Sequence, residues 1–230
     1  MESDFAAQVG RVGALAEPAR RALYLYVVGR PEPVSRDQAA ADVGVARHTA
    51  KFHLDKLVAE GLLSTEFRRL SGRTGPGAGR PTKLYRRAER QIAVTLPERH
   101  YDLAGQILAS AIEEATRSGI PVVEAVQVAA AAAGRRIGAG CGAPVRSLDD
   151  VVRVLSGNGY EPRIEDAAVV LANCPFHALA RDHTALVCGM NLHLLGALLD
   201  VLGGTEVHAR LEPAPQRCCV VVGTGPPPAQ

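Results

Sequence analysis

The sequence predicts an α+β fold, in which an N-terminal domain of helices and a hairpin precedes central helices and a C-terminal α/β module. Three observations predict it. The pattern of residues 34–87 predicts two helices that are joined at a glycine and followed by two strands. Residues 1–90 carry 16 Lys and Arg against 10 Asp and Glu, whereas residues 91–230 carry 10 against 14. Strand and helix patterns alternate after residue 146, where four of the five cysteines also lie.

The composition favours a globular protein of more than one domain. At 230 residues the chain can bury one large or two medium cores. We expect a domain at 1–90, a helical linker or dimerisation region at 91–145, an α/β module at 146–223 and a disordered tail at 224–230. No apolar run approaches 18 residues, and the N-terminus lacks the features of a secretory signal. We therefore expect a cytoplasmic protein without a membrane span.

The N-terminal elements follow from local signals. Pro18 suits the first turn of a helix, because no hydrogen-bond donor is lost there. Ser35 is a candidate N-cap for a short helix at 36–43, and Gly44 supplies the turn that follows. The next helix, from about residue 46 to 60, has one apolar stripe at helical spacing, made by Ala50, Leu54, Leu57 and Val58.

The opposite face of that helix is polar and fits a DNA major groove, where base edges differ in donors and acceptors. Its candidate contact residues are Arg47, His48, Thr49, Lys51 and Phe52. The two strands that follow flank a basic loop rich in glycine, which can approach a duplex closely and place arginine in a minor groove. The candidate contact residues there are Arg68, Arg69, Arg73, Arg80 and Lys83. The alternatives are a solvated helix hairpin and a loop with only non-specific attraction for DNA.

The order of helix, glycine turn, helix and basic hairpin resembles a winged helix-turn-helix of the ArsR-like type. The string GVARHTAKFHLDKLVAEGLL is similar to the second helix of that motif. The resemblance implies a transcriptional regulator that binds double-stranded DNA, as a homodimer on two half-sites. Helices predicted at 100–117 and 122–137, the second rich in alanine, could build the dimer.

The C-terminal module is predicted to alternate between helices and strands. Ser147 caps a helix at 148–155, and a later helix is expected at 191–202. Strands are expected at 160–164, 167–171, 205–211 and 218–222. Cys174 precedes a proline and Cys188 precedes a glycine, so both are expected at element boundaries.

The cysteines suggest metal or redox chemistry, because a protein that is not secreted should not hold structural disulfides. They are Cys141, Cys174, Cys188, Cys218 and Cys219, and their spacing includes no C-x-x-C pair. If the last strand is regular, Cys218 and Cys219 point to opposite faces and only one of them can enter a shared site.

A longer string, NCPFHALARDHTALVCGMNLHLLGALL, with a cysteine near the end of the chain, resembles the C-terminal module of iron–sulfur-responsive repressors of the SufR type. The resemblance implies a 4Fe-4S cluster held by Cys174, Cys188 and Cys218, and repression by the cofactor-loaded form. That family often has a cysteine in the strand that here spans 208–211, where this chain has none. The fourth ligand is then external or one of Cys219, His177, His183 and His208.

Three alternative interpretations of the C-terminal cysteines and their module are left open by the sequence. Zinc is chemically as acceptable to three thiolates and an imidazole as a cluster is. Cys188 and Cys219 could simply pack, since free cysteine is often buried. A metal-free regulator could instead bind an organic effector in a pocket lined by Leu171, Phe176 and Leu192. We do not expect an enzyme, because the sequence has neither a Gly-x-Ser-x-Gly motif nor a P-loop. No Asn or Asp can be assigned to orient a pair of Cys174 and His177.

Overall fold

The fold is that of a computed structural model, which describes residues 2–69, 80–142, 144–203 and 206–224. The chain divides into two units, Met1–Val94 and Thr95–Gln230. One hydrophobic core fills the first unit, and two core clusters fill the second. Arg73 and the last six residues of the predicted tail lie outside the described residues.

The first unit combines helices with a small sheet. Its helices are α1 (Glu2–Gly13), α2 (Pro18–Val28), α3 (Arg36–Val43) and α4 (Arg47–Ala59), with a 3-10 turn at Ala14–Ala16. Its strands are β1 (Val34–Ser35), β2 (Leu63–Arg68) and β3 (Thr82–Arg87). The strands are antiparallel in the order β1-β3-β2, and Thr65 lies opposite Tyr85.

Local signals place α3 and α4 as predicted. The Oγ of Ser35 accepts a hydrogen bond from the Gln38 amide at 3.2 Å, which caps α3. Gly44 ends that helix at a φ of +76°, a conformation that glycine adopts without steric cost. On the apolar side of α4, Ala50, Leu54 and Leu57 are fully buried and Val58 is partly buried. The helix therefore packs on the core with its opposite side outward.

The second unit places helices against a four-stranded sheet. Its helices are α5 (Tyr101–Ser118), α6 (Val122–Gly140), α7 (Leu148–Ser156), α8 (His177–Asp182) and α9 (Thr184–Val201). Its strands are β4 (Pro162–Glu165), β5 (Ala168–Leu171), β6 (Val207–Leu211) and β7 (Val220–Thr224). All strand pairs are antiparallel, in the order β4-β5-β7-β6.

The central helices belong to this second unit. Helix α6 packs against both α5 and α9, and its glycines allow the α9 backbone to come close. A Cβ atom at Gly138 would lie 2.9 Å from the carbonyl oxygen of Leu198, and one at Gly134 would overlap the carbonyl of Leu194. The region predicted as a linker thus forms part of the core, and its role in a dimer stays a prediction.

Helix α9 is longer than predicted. It begins at Thr184 instead of residue 191, so Cys188 lies inside a helix and the prediction of an element boundary there was wrong. A glycine inside a helix costs only about 1 kcal/mol, and burial of the apolar side chains around Gly189 outweighs that cost. Among the described residues, α9 also has the length and composition of a membrane span, at a mean hydropathy of 1.5. Its buried side chains are central to the core of the unit.

Candidate functional sites

The outward side of α4 forms an exposed polar surface. Arg47, His48, Lys51 and Phe52 are exposed there, and Thr49 is half-buried. The Phe52 ring is 64% exposed and lines a shallow depression with His48 and Lys51. An aromatic ring beside cationic side chains offers an apolar contact for a thymine methyl group next to polar contacts for base edges.

A network beneath α4 fixes the orientation of this helix. His53 is buried on the inner side, and its Nδ1 accepts a hydrogen bond from the Nε of Arg20 in α2 at 3.3 Å. Its Nε2 lies 3.4 Å from the carboxylate of Glu17, which also caps α2 by accepting hydrogen bonds from two backbone amides. The apolar spacing of the sequence did not reveal this role of His53, since histidine adds no signal to a hydrophobic stripe.

Several of the predicted contact residues already have carboxylate partners. The Nε of Arg47 lies 3.4 Å from Asp37, and Arg68 donates a hydrogen bond to Glu66 at 2.7 Å. Exposed pairs of this kind are weak and screened by solvent, so phosphate can compete with the carboxylates for these arginines. Arg69 and Arg80 are exposed, whereas Arg73 lies outside the described residues.

One carboxylate joins α4 to the hairpin of β2 and β3. Asp55 of α4 accepts hydrogen bonds from the Lys83 ammonium at 2.7 Å and from the Tyr85 hydroxyl at 3.1 Å. Burial raises the pKa of Asp55, but the hydrogen bonds from Lys83 and Tyr85 outweigh it and hold the pKa below its usual value. Lys83 therefore holds the hairpin against α4 in this structure.

In the second unit four thiols lie close together. Cys174 follows β5, Cys188 is in the second turn of α9, and Cys218 and Cys219 directly precede β7. Cys174 shares a hydrogen bond with Cys218, and Cys188 shares one with Cys219. Cys141 follows α6 and packs against the core.

The expectation that only one of Cys218 and Cys219 enters a shared site stays a prediction. It assumed a strand that begins at residue 218, whereas β7 begins at Val220. The Cys218 amide donates to the carbonyl oxygen of Leu171 at 2.8 Å, and the carbonyl oxygen of Cys219 accepts from the Glu212 amide at 2.7 Å. Each of the two cysteines interacts with a different thiol partner.

The thiols differ in acidity. The hydrogen bond with Cys218 lowers the pKa of Cys174, and a hydrogen bond from the Phe176 amide adds to this, against the opposing effect of burial. Burial and the hydrogen bond with Cys219 raise the pKa of Cys188 to about 12. The hydrogen bond with Cys174 and burial raise the pKa of Cys218 well above its usual value. Of Cys174, Cys188 and Cys218, Cys174 is therefore the one that most readily becomes a thiolate.

Two buried polar residues support the thiols. The side-chain nitrogen of Asn191 donates a hydrogen bond to the Cys218 sulfur at 3.4 Å. The Tyr160 hydroxyl donates one to the side-chain oxygen of Asn191 at 2.5 Å. Sequence reasoning did not identify either residue. The available signal was Asn191 itself, a polar side chain in an otherwise apolar helix.

The candidate histidines lie in or beside α8 and in β6. His177 begins α8, His183 follows its end, and both are exposed, while His208 is half-buried in β6. Within the described residues, no three His, Cys, Asp or Glu side chains converge closely enough to hold one metal ion. The four thiols are instead arranged as two pairs.

Comparison with known proteins identifies the N-terminal motif. A family model described as a helix-turn-helix domain matches residues 15–66, which include α2, α3 and α4. No curated protein and no solved structure matches the chain. The chain therefore contains a helix-turn-helix domain within a mixed helix and strand fold, and the match supports a DNA-binding transcriptional regulator.

Proposed function

We propose that this protein is a DNA-binding transcriptional repressor whose C-terminal thiols bind a 4Fe-4S cluster and couple it to operator binding. The observation that carries the proposal is the presence, in one chain, of a helix-turn-helix domain and a group of four interacting cysteines. A regulator needs a part that reads DNA and a part that responds to a signal, and each unit supplies one of them.

The DNA-binding part rests on α4 and the hairpin. The exposed residues of α4 would contact base edges in the major groove, and Phe52 would add an apolar contact. The basic residues of the hairpin would lie along the backbone or in the minor groove. The link between Asp55 and Lys83 would keep these two contact surfaces in a constant relative position.

The thiols are chemically suited to an iron–sulfur cluster. Cluster iron is held by cysteine thiolates, and Cys174 ionises more readily than an ordinary thiol. We assign Cys174, Cys188 and Cys218 as ligands. Of the candidates for the fourth position we favour Cys219, because it interacts with Cys188. When bound, the cluster would supply a centre that oxidants can alter or remove. Asn191 and Tyr160 would position Cys218 beside it.

Zinc is the second candidate, because four cysteines also form a common zinc site. A zinc ion requires its four ligands to converge on one point, with zinc–sulfur distances of about 2.3 Å. A cluster distributes its ligands over several iron atoms, and this fits two separate thiol pairs better. A metal-free effector site is less supported, since Leu171 and Phe176 are fully buried and an effector would have to displace core packing.

We further propose that the protein acts in the cytoplasm as a homodimer on two half-sites. Phe5, Val9 and Val12 lie three and four residues apart on α1 and are between 44% and 49% exposed. Exposed apolar side chains on one side of a helix favour association with another surface. Light scattering of the purified protein at several concentrations tests the dimer.

One preparation tests the central proposal. Protein purified without oxygen should be brown, should absorb visible light, and should contain iron and acid-labile sulfide. Selection from random double-stranded DNA should yield a two-fold symmetric site, and cofactor removal should weaken its binding. Colourless protein with stoichiometric zinc would favour the second candidate. Folded protein without metal, or without preference for any duplex, would overturn the corresponding half of the proposal.

A further inference from the structure

The loop that carries Cys174 is hydrogen-bonded to residues 95–101, the segment through which the chain enters the second unit. We call this segment the linker. That unit begins at Thr95, directly after the last residue of the DNA-binding unit. Glu98–Arg99–His100–Tyr101 lies against Asn173–Cys174–Pro175, although the two segments are more than 70 positions apart in the sequence. We call these contacts the linker clamp.

Arg99 is the centre of the linker clamp. Its Nη1 donates hydrogen bonds to the side-chain oxygen of Asn173 and, at 3.1 Å, to the carbonyl oxygen of Cys174. The backbone amide of Arg99 donates to the Thr95 hydroxyl at 3.0 Å, which folds the linker back on itself. One residue thus bonds both to the start of the linker and to the cysteine loop.

Asn173 completes the linker clamp from the other side. It is only 6% exposed, and its amide nitrogen donates to the carbonyl oxygens of Glu98 at 3.2 Å and Gly159 at 2.9 Å. With its oxygen bonded to Arg99, the side chain of Asn173 has its donors and its acceptor in use. A buried amide satisfied in this way is costly to move, because displacement would leave polar groups unpaired.

Two further hydrogen bonds extend the contact along both segments. The His100 amide donates to the carbonyl oxygen of Pro175 at 3.1 Å. The amide of Ala178, in α8, donates to the Tyr101 hydroxyl at 3.3 Å. The linker therefore follows the cysteine loop over several residues, and a shift of the loop must also shift the linker or break these bonds.

We propose that Arg99 and Asn173 are positioning residues that transmit the state of the thiol site to the linker of the DNA-binding unit. The sulfur of Cys174 shares a hydrogen bond with Cys218, and the carbonyl oxygen of Cys174 accepts one from Arg99. If a bound cofactor held the Cys174 sulfur, the cysteine loop and, through the linker clamp, the linker would lose freedom. Without a cofactor, both would be freer to move. This inference rests on the proposed function.

The test compares the operator affinity of cofactor-loaded and cofactor-free protein, using the full chain and one fixed DNA duplex. The ratio of the two affinities is the coupling, which for ordinary allosteric proteins is about 5–150-fold. In Arg99→Ala we expect this ratio to approach one, while iron and sulfide content and the affinity of the cofactor-free form stay at the parent values. Arg163→Ala is the control, since it removes an exposed arginine from β4 of the same unit.

A second, milder variant guards against loss of the fold. Tyr101→Phe removes only the hydroxyl that accepts from Ala178, and it should lower the ratio in part at full cofactor content. Hydrogen exchange of residues 95–101 gives a readout independent of DNA. Exchange should slow on cofactor loading in the parent and in Arg163→Ala, but not in Arg99→Ala.

The possible failures can be told apart. Equal affinities of loaded and cofactor-free parent protein would contradict the proposed function, and the exchange measurement would then decide on the linker clamp alone. A parent-like ratio in Arg99→Ala, or equal exchange of residues 95–101 in both forms of the parent, would overturn the linker clamp. If Arg99→Ala lost its cofactor, Tyr101→Phe would decide, and a parent-like ratio in that variant would overturn the proposal.

Discussion

The Lys83 ammonium of β3 donates a hydrogen bond to Asp55 of α4 at 2.7 Å, and this contact joins the hairpin to the helix proposed to read DNA. The same carboxylate accepts a hydrogen bond from the hydroxyl of Tyr85, a residue that is almost completely buried. Lys83, which was predicted to contact DNA, therefore has a structural role, and the relative position of the two elements proposed to contact DNA depends on one acidic residue.

Asp55→Asn should weaken this junction in a pH-dependent way. The pKa of Asp55 is lowered in the folded protein from its ordinary value of 3.8, so its ion pair stabilises the fold above that pH. The stabilisation is lost as the pH falls through the lowered pKa. Because the pair is partly exposed, we expect the variant to lose at most about 1 kcal/mol at pH 7 and less near pH 3. Hydrogen exchange of α4 at both pH values measures this, and an equal loss at both would exclude the charge as its cause.

Arg47→Ala should weaken operator binding in a sequence-dependent way. If Arg47 forms a bidentate pair with guanine, its loss should cost about 1–3 kcal/mol and relax the preference at one base of each half-site. Titration against single-base operator variants measures both effects. Asp37→Ala, which removes the partner 3.4 Å from Arg47, should not weaken binding. An equal loss on every sequence would indicate a phosphate contact, and no loss would remove α4 from the groove.

Arg80→Ala should reduce the salt dependence of binding. Each phosphate contact releases about one counterion, so the slope of log affinity against log salt should flatten by about 0.9. The effect should be independent of the base sequence. Titrations over a series of salt concentrations measure it, with Arg163→Ala in the second unit as the control. An unchanged slope would mean that Arg80 stays clear of the duplex.

Serine substitution of single cysteines should separate ligands from packing residues. Cys174→Ser, Cys188→Ser and Cys218→Ser should each abolish cofactor binding, and the contact between Cys219 and Cys188 predicts the same for Cys219→Ser. Cys141→Ser is the control and should keep the cofactor. Iron, sulfide and zinc analysis of each variant measures this. Full metal content in all five would refute the ligand assignment, and unchanged DNA affinity after metal loss would make the site structural.

Gly134→Ala should destabilise the second unit. The added methyl group would overlap the carbonyl of Leu194 in α9, and overpacking of this kind costs about 1–3 kcal/mol. The control is Gly105→Ala in α5, where a Cβ meets no atom within 4 Å and a stabilisation of about 0.4–1 kcal/mol is expected. Urea denaturation of both variants measures the difference. Equal stability would mean that α6 and α9 can separate slightly without cost.

The sequence by itself determined the elements of the DNA-binding unit and the character of each half of the chain. Ser35 and Gly44 set the ends of α3 through contacts with nearby residues of the chain. The apolar stripe of α4 predicts that one side of this helix packs on a hydrophobic core, whatever the rest of that core contains. Signals of this kind extend over a few residues, so they can be read from the chain directly. The sequence did not predict the two-residue strand β1, because it is too short to show an alternation of apolar and polar residues and forms only by pairing with β3.

The tertiary structure alone decided how the second unit assembles its site. The pairing of Cys188 with Cys219, the support of Cys218 by Asn191 and the contact of Arg99 with Asn173 join residues that are far apart in the chain. Such contacts depend on the order of strands in the sheet and on the close approach of α6 and α9, which no local pattern encodes. The start of β7 shows the same limit, because the strand pairs with β6 from Val220 and with β5 from Val222, and the sequence did not predict these two starting points.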